Sequence, residues 1–330
     1  MIVSNFKKAN ILVIGAGSIG IRHIKNLIFL GFKNIFVYRH STSSNLEIDQ
    51  NVINVISKWE DVKNNNFHAV LICSPTSMHL KQAIDSLNLG AHVFIEKPLS
   101  HSRQGTQKLK NQIQKTKKYV FVAYMLRFHP LLLELKKIVK EKKYGNLISF
   151  TSKWGEYLPN WHPWEDYTKS YAARKELGGG VALTLSHDID ILNWIVESKI
   201  KRTSHIKNYA SNLILNVEGG SDIIYQFENG VTGHTHLNYY SKIHERYIEL
   251  TFDNANIRFD YLRSTLSVND GKKSKIKKVS NFDRNKLFID ELKYFFKMTG
   301  KFNIEDSLKS IDDSELILNV CTKKNWINEK

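Results

Sequence analysis

The run Gly15-Ala16-Gly17-Ser18-Ile19-Gly20 follows the apolar residues Ile11 to Ile14 and leads into Ile24, Leu27 and Ile28 at helical spacing, with Gly31 ending the helix. A strand, a glycine turn and a helix in this order make a cradle for a dinucleotide pyrophosphate. Gly15 permits the tight turn, Gly17 lets backbone come close to the phosphates, and Gly20 lets the helix pack closely. Ser18 and Ile19 stand at the helix amino end, where backbone N–H groups and the helix dipole favour an anion. About twenty residues further on, where a carboxylate would bind the ribose, the chain reads Tyr38-Arg39-His40-Ser41. Arg39 offers a bidentate fork and Ser41 a hydroxyl, which suits a 2′-phosphate and so favours NADP over NAD. A surface arginine, with the adenosine held by other groups, is the alternative. Two more runs carry polar chemistry: Ser74-Pro75-Thr76-Ser77-Met78-His79, and Glu96-Lys97-Pro98 directly after an apolar stretch.

The elements that must position these residues alternate. Apolar runs beginning at Asn34, Val52, Ala69, Ala91 and Lys118 each have turn or helix signals behind them, the pattern of a parallel, right-handed, doubly wound α/β sheet. Ligands of such sheets sit outside the carboxyl ends of the strands. Ser74, Pro75, Thr76 and His79, together with Glu96 and Lys97, therefore fall at a cofactor crevice, with the lysine at its mouth and not in a core. The 330 residues, 42% hydrophobic, suit two domains, and we place a dinucleotide-binding domain at 1–125 and a second domain at 126–330, whose last helices could pack back on the first.

Composition narrows the function. No window approaches the roughly 20 apolar residues of a membrane span. The opening residues lack the features of a secretory signal, and Cys73 and Cys321 are far apart without metal-type spacing, so the expectation is a soluble, cytoplasmic protein. Lys and Arg exceed Asp and Glu by 48 to 32, a formal charge of +16. The lysines are spread along the chain among Asn and Ile, which suits attraction of anionic small molecules better than a nucleic-acid stripe. The densest cluster, Gly271 to Lys278, reads as a solvated hairpin or loop.

The order of these motifs resembles the Gfo/Idh/MocA oxidoreductase family, and the resemblance extends through Tyr124 to Pro130, the glycines Gly178 to Gly180 and His187-Asp188-Ile189-Asp190. It implies a Rossmann domain followed by an α/β domain on a large, mostly antiparallel sheet that assembles dimers or tetramers. It also implies that Lys97 lies beside nicotinamide and substrate, with Pro98 in a cis peptide. An ammonium there would bind the substrate oxygen and stabilise a developing alkoxide, while Glu96 could hold Lys97 or touch the ribose. Lys175 to Ile195 reads as a glycine-rich entry into a helix on which Thr184, His187, Asp190 or Ile191, and Trp194 recur on one face. Matched to the family pattern, His187 is the candidate acid/base, its unperturbed pKa lying nearest neutrality. Many members carry an Asp three or four residues before this His, where the chain has Leu183 and Thr184; Thr184 can donate a hydrogen bond but cannot serve as a base.

Between the strand ending near Leu158 and the glycines lies a segment rich in Trp, His, Tyr and charge. Aromatic faces among hydrogen-bonding groups suit a sugar, and Trp161, His162, Trp164, Tyr167, Arg174 and Lys175 are the candidates; loop anchoring is the alternative for each tryptophan, and Arg174 and Lys175 could meet a phosphate or carboxylate. Arg127 resembles a family arginine near the active site, and an interdomain ion pair explains it equally well. Asp190 is better placed than Asp188 to orient His187 or to cap structure. His234 and His236 share a strand face without further ligands at matching spacing, so no metal is expected. The sum is an NADP-preferring oxidoreductase moving hydride between nicotinamide and a secondary alcohol or ketone of a sugar or nucleotide sugar. The alternative is a non-catalytic, cofactor-binding regulator of the same fold.

Overall fold

The computed structural model describes residues 6–39, 48 and 52–323. It contains two compact units: one runs to Met125 and resumes over Arg284–Leu318, the other holds Leu126–Asp283 and the chain from Asn319 on. In the first unit, β1 (Asn10–Ile14), β2 (Asn34–Tyr38), β3 (Ile53–Ile56), β4 (Ala69–Ile72), β5 (His92–Glu96) and β6 (Val120–Ala123) form a parallel sheet in the order β3-β2-β1-β4-β5-β6. The connections carry α1 (Ser18–Phe29), α2 (Trp59–Lys63), α3 (His79–Asn88) and α4 (Thr106–Thr116). Every residue of β4 and β5 is buried, as expected of parallel strands covered on both faces, and this is why they read as continuous apolar runs and not as alternation. The order reverses between β1 and β4, which puts the carboxyl ends of β1, β4 and β5 side by side at the switch point.

The second unit opens with α5 (Pro130–Lys140), which starts cleanly because Pro130 fills a first-turn position and His129 Nδ1 accepts the Leu131 N–H. Then come β7 (Leu147–Tyr157), α6 (Val181–Thr184), α7 (His187–Val196), β8 (Ile200–Asn208), β9 (Gly220–Phe227), β10 (Thr232–Asn238), β11 (Tyr240–Phe252), β12 (Asn256–Asp260), β13 (Thr265–Asn269) and β14 (Ser274–Lys278). The eight strands form one sheet, β14-β13-β12-β11-β7-β10-β9-β8, in which only β7 and β10 run parallel. The lysine cluster forms β14, an exposed edge strand whose charges discourage further pairing. The helix read from Val181 to Ile195 is broken at Leu185 and Ser186, so Thr184 and His187 do not share one continuous helical face.

Two last helices follow, α8 (Arg284–Thr299) and α9 (Ile304–Thr322). Helix α8 belongs to the first unit and puts Leu292, Phe295 and Phe296 into the same core as Ile11, Val13, Leu71 and Phe94. Ser307 and Ser310 of α9 accept the backbone N–H groups of Val120 and Val122, which closes the free edge at β6.

Three buried histidines are held neutral. Burial is the first cause, bringing His92 from 6.5 to about 3 and His129 and His205 to about 4. The rings of His92 and His129 also accept backbone N–H groups, from Tyr119 and Leu131, which a charged imidazole could not do. With folded values below the unfolded one, the unfolded chain binds more protons on acidification. Thermal melting followed from pH 7 to 4 is therefore expected to show stability complete above about pH 6.5 and lost as pH falls toward 4.

Candidate functional site

In the first unit the candidate residues begin at the turn after β1. Gly15 has φ +94°, a left-handed conformation, and a Cβ there would stand 2.8 Å from Cys73 O at the end of β4. A Cβ on Gly20 would lie 2.1 Å from Gly15 O, whereas one on Gly17 would meet nothing within 4 Å. Gly15 and Gly20 thus serve the fold, and Gly17 leaves open the space that a pyrophosphate needs. Ser18 and Ile19 begin α1, whose first turn contains no acidic residue and no side-chain cap, so its leading N–H groups remain available to an anion. A nicotinamide dinucleotide fits this cradle. Arg39 follows β2 and its N–H donates to Ile56 O at 3.2 Å, while Ser41 lies outside the described residues.

After β4, Ser74 Oγ donates to Gln82 Oε1 at 2.6 Å, and Pro75 leads into the single turn Thr76–Met78, in which Thr76 is buried. His79 is wholly buried, and its ring nitrogens lie 2.8 Å from Ser74 O and 2.9 Å from Pro98 O. Burial holds its pKa below the ordinary value despite the two carbonyls. The ring therefore lies between the β4 and β5 loops, its single N–H in the neutral form donating to one of the two carbonyls. From Ala91 to Ser100 every residue is buried except Lys97, and the Lys97–Pro98 peptide is cis. Glu96 turns inward: its Oε1 accepts His23 Nε2–H at 2.6 Å and its Oε2 the Lys97 backbone N–H at 3.2 Å.

In the second unit His187 opens α7, buried, with its ring 6.4 Å from and 29° to that of Trp154 on β7. The two acids after it lie about 200° apart around the helix and take different arginines. Asp188 Oδ1 accepts from Arg246 Nε and Nη2 at 3.0 and 2.5 Å, and its Oδ2 accepts Ser152 Oγ–H at 3.0 Å. Burial pushes Asp188 up, while the Arg246 and Ser152 contacts pull it down. Arg246 is stacked between Trp154, at 3.4 Å, and Tyr261, at 4.5 Å. Asp190 forms a two-point pair with Arg127, Nε to Oδ2 at 3.0 Å and Nη2 to Oδ1 at 2.5 Å. Arg127 and Asp190 belong to the same unit, so this is not the interdomain pair the sequence allowed, and neither acid was seen to be spoken for by an arginine.

Thr184 is buried near Tyr239, whose hydroxyl donates to Gly180 O at 3.1 Å. Trp161 stands edge-on to Tyr239 at 5.6 Å, its indole N–H buried and without a hydrogen-bond acceptor among the described residues. Trp164 is 78% exposed and touches His162. Arg174 pairs with Glu176, which also accepts from Asn216. The sequence reading passed over His23, Arg246 and the pair Glu156–His244, 2.7 Å apart. Burial pushes Glu156 up, but His244 and Arg246 hold it below the usual carboxylate value. Only their places in an amphipathic helix and in β7 and β11 distinguished these residues, and such places look the same for packing residues. Among the described residues no cluster of three His, Cys, Asp or Glu could hold a metal, and no helix is long and apolar enough to cross a membrane.

A parallel sheet with a dinucleotide cradle, followed by a wide, mostly antiparallel sheet, defines a two-unit α/β protein of the nicotinamide-dinucleotide-binding class. Two family models match it in succession, the oxidoreductase family's NAD-binding Rossmann fold over residues 9–124 and the GFO/IDH/MocA C-terminal domain over 132–258. The chain belongs to the Gfo/Idh/MocA oxidoreductase family. It is similar to the uncharacterized oxidoreductase YrbE of Bacillus subtilis, 28% identical over 195 residues, 57% of this chain and 54% of that protein. It is also similar to the inositol 2-dehydrogenase/D-chiro-inositol 3-dehydrogenase of Halalkalibacterium halodurans, 27% identical over 203 residues, 58% of this chain and 54% of that protein. The chain spans about half the length of these curated relatives. Among solved structures, levoglucosan dehydrogenase in complex with NADH and levoglucosan has a TM-score of 0.79 at 17% identity, covering 95% of this chain and 97% of that one. UDP-N-acetylglucosamine 3-dehydrogenase GnnA from Acidithiobacillus ferrooxidans has a TM-score of 0.76 at 15% identity, covering 95% and 96%. At these identities the likeness is one of fold.

Two expectations follow from the geometry. Gly17→Ala should leave the melting temperature unchanged while weakening dinucleotide binding in a fluorescence titration, whereas Gly20→Ala should cost about 1–3 kcal/mol of stability through overpacking, read as a lower melting temperature. Arg246→Met strands the buried Asp188 carboxylate and should cost about 3–5 kcal/mol in urea denaturation.

Proposed function

We propose that this chain is an NAD(P)-dependent dehydrogenase or reductase that acts on a secondary alcohol, or the corresponding ketone, of a sugar-like molecule, nucleotide sugars included. The observation that carries the reading is Lys97, the one part-exposed residue in an otherwise buried stretch at the carboxyl end of β5. Bound nicotinamide would supply or accept the hydride. The Lys97 ammonium would bind the substrate oxygen and stabilise negative charge on it as the C–H bond breaks or forms. His187 would take or return the hydroxyl proton; Asp188 and Asp190, committed to Arg246 and Arg127, leave it the titratable group of that helix turn suited to the task. Trp161, with its buried indole N–H, supports a ligand carrying hydroxyl acceptors.

For the cofactor we favour NADP, because β2 runs into Tyr38 and Arg39 without an acid for the ribose hydroxyls. The relatives solved with NADH make this a choice to be measured. We further propose a homo-oligomer formed through the second unit's sheet, supported by Ile206 and Ile224, exposed on the sheet face that also carries Asp222, His234 and His236.

The test is titration of the protein with NADPH and NADH, followed by a screen of polyols, keto-sugars and nucleotide sugars by nicotinamide absorbance. Turnover is expected to fall at least about 100-fold in Lys97→Ala and in His187→Ala, with cofactor binding largely kept, and Arg39→Asp should reverse the cofactor preference. Tight cofactor binding without turnover across the panel would instead support a non-catalytic regulator, and a wild-type preference for NADH would overturn the role given to Arg39.

A further inference from the structure

We propose that His23 is a positioning residue for Lys97, acting through the carboxylate of Glu96. His23 lies on α1, three residues after the last glycine of the turn, and is 0% exposed. Its Nε2 is 2.6 Å from Glu96 Oε1, and the other oxygen of that carboxylate accepts the backbone N–H of Lys97 at 3.2 Å. The ring is enclosed by the edges of Phe94, 5.1 Å away, and Phe288, 5.9 Å away, and its Nδ1 has no acceptor or donor among the described residues. Nε2–H is thus the ring's donor to the carboxylate, since a carboxylate oxygen can only accept.

The arrangement solves a definite problem. Glu96 is 7% exposed, and a buried carboxylate needs a donor for each oxygen. Its charge also acts on His79 of α3, whose ring nitrogens lie beside Ser74 O and Pro98 O, and on Cys73 after β4, near which Glu291 of α8 adds further negative charge. His23 therefore supplies the donor that keeps the carboxylate on the α1 side of the turn. Without it, the carboxylate loses its buried donor, and the cation next to it in the chain is the Lys97 ammonium, the same group that the proposed chemistry requires for the substrate oxygen. The helix that begins at the phosphate cradle and the turn that presents the lysine are in this way held by one buried hydrogen bond.

The inference rests on the reading of Lys97 given above, so its test includes a measurement independent of turnover. In the full chain, lysine amines are reductively methylated with 13C-formaldehyde and titrated by NMR, the Lys97 signal being identified by its loss in Lys97→Arg. His23→Leu is expected to raise the Lys97 midpoint by about one unit and to lower kcat at least tenfold while the cofactor Kd stays within about twofold. His23→Gln, whose amide can donate near the Nε2 position, is expected to restore most of both. Glu96→Gln should lower the midpoint, and adding His23→Leu to it should change nothing further. Where the leucine variant does not fold, His23→Asn, polar but too short to reach Glu96, takes its place against His23→Gln. An unchanged Lys97 titration in His23→Leu or His23→Asn overturns the proposal, as does the same shift in the Glu96→Gln background. If no substrate is turned over by the wild type, the functional reading fails while the lysine titration still decides this one.

Discussion

The first unit depends on a close approach that only glycine allows. With 2.1 Å between a would-be Cβ at position 20 and the carbonyl oxygen of Gly15, any side chain there would push α1 away from the end of β1. The helix instead lies down against the turn, and its position propagates. Its amino end keeps its N–H groups open beside Gly17, and its buried face carries Ile24 and Leu27 into the core and His23 onto Glu96. On the other side of the same turn, His79 joins the loops that follow β4 and β5. Two histidines in the interior thus hold three loops at the sheet's carboxyl edge, where hydrogen bonds are strong because water is excluded.

The second unit meets a comparable demand with charge. Its helix α7 begins with four residues, His187 to Asp190, all buried, two of them carboxylates. Burying an acid is costly unless a partner of opposite charge and good geometry is supplied. Arg246 and Arg127 supply it, each with two nitrogens on one acid. The Arg246 guanidinium is further held between Trp154 and Tyr261. Replacement of such pairs by well-packed apolar groups is often tolerated energetically; together with the buried Ile189, Ile191, Leu192 and Ile195, the two pairs fix how the helix is rotated, and so where His187 stands.

Much of this was legible in one dimension. The turn at Gly15 to Gly20 could be read because each glycine answers a local steric need, and the parallel sheet because strands buried on both faces are apolar throughout. Lys97 could be picked out because a charged pair ends such a run. The break at Leu185 and Ser186 was not legible, since apolar periodicity continues across it while the backbone departs from the helix. Neither was the allegiance of α8: an amphipathic helix shows that it covers a core, not which one, and Phe295 and Phe296 reach a sheet whose last strand ended more than 150 residues earlier.

By itself the sequence determined the residue types at the strand ends, the cradle and its glycines, and the family to which the chain belongs, because these rest on local sterics and on spacing along the chain. Only the tertiary structure decided partnerships. Asp188 and Asp190 look alike in sequence, yet one meets Arg246 on β11 and the other Arg127 before α5. Arg174, promising as an anion contact, is paired with Glu176, and His23, unremarked in its helix, is bonded to Glu96, 73 residues away. A charge or a ring nitrogen takes its role from whatever lies within about 3 Å of it, and separation along the chain does not reveal that distance.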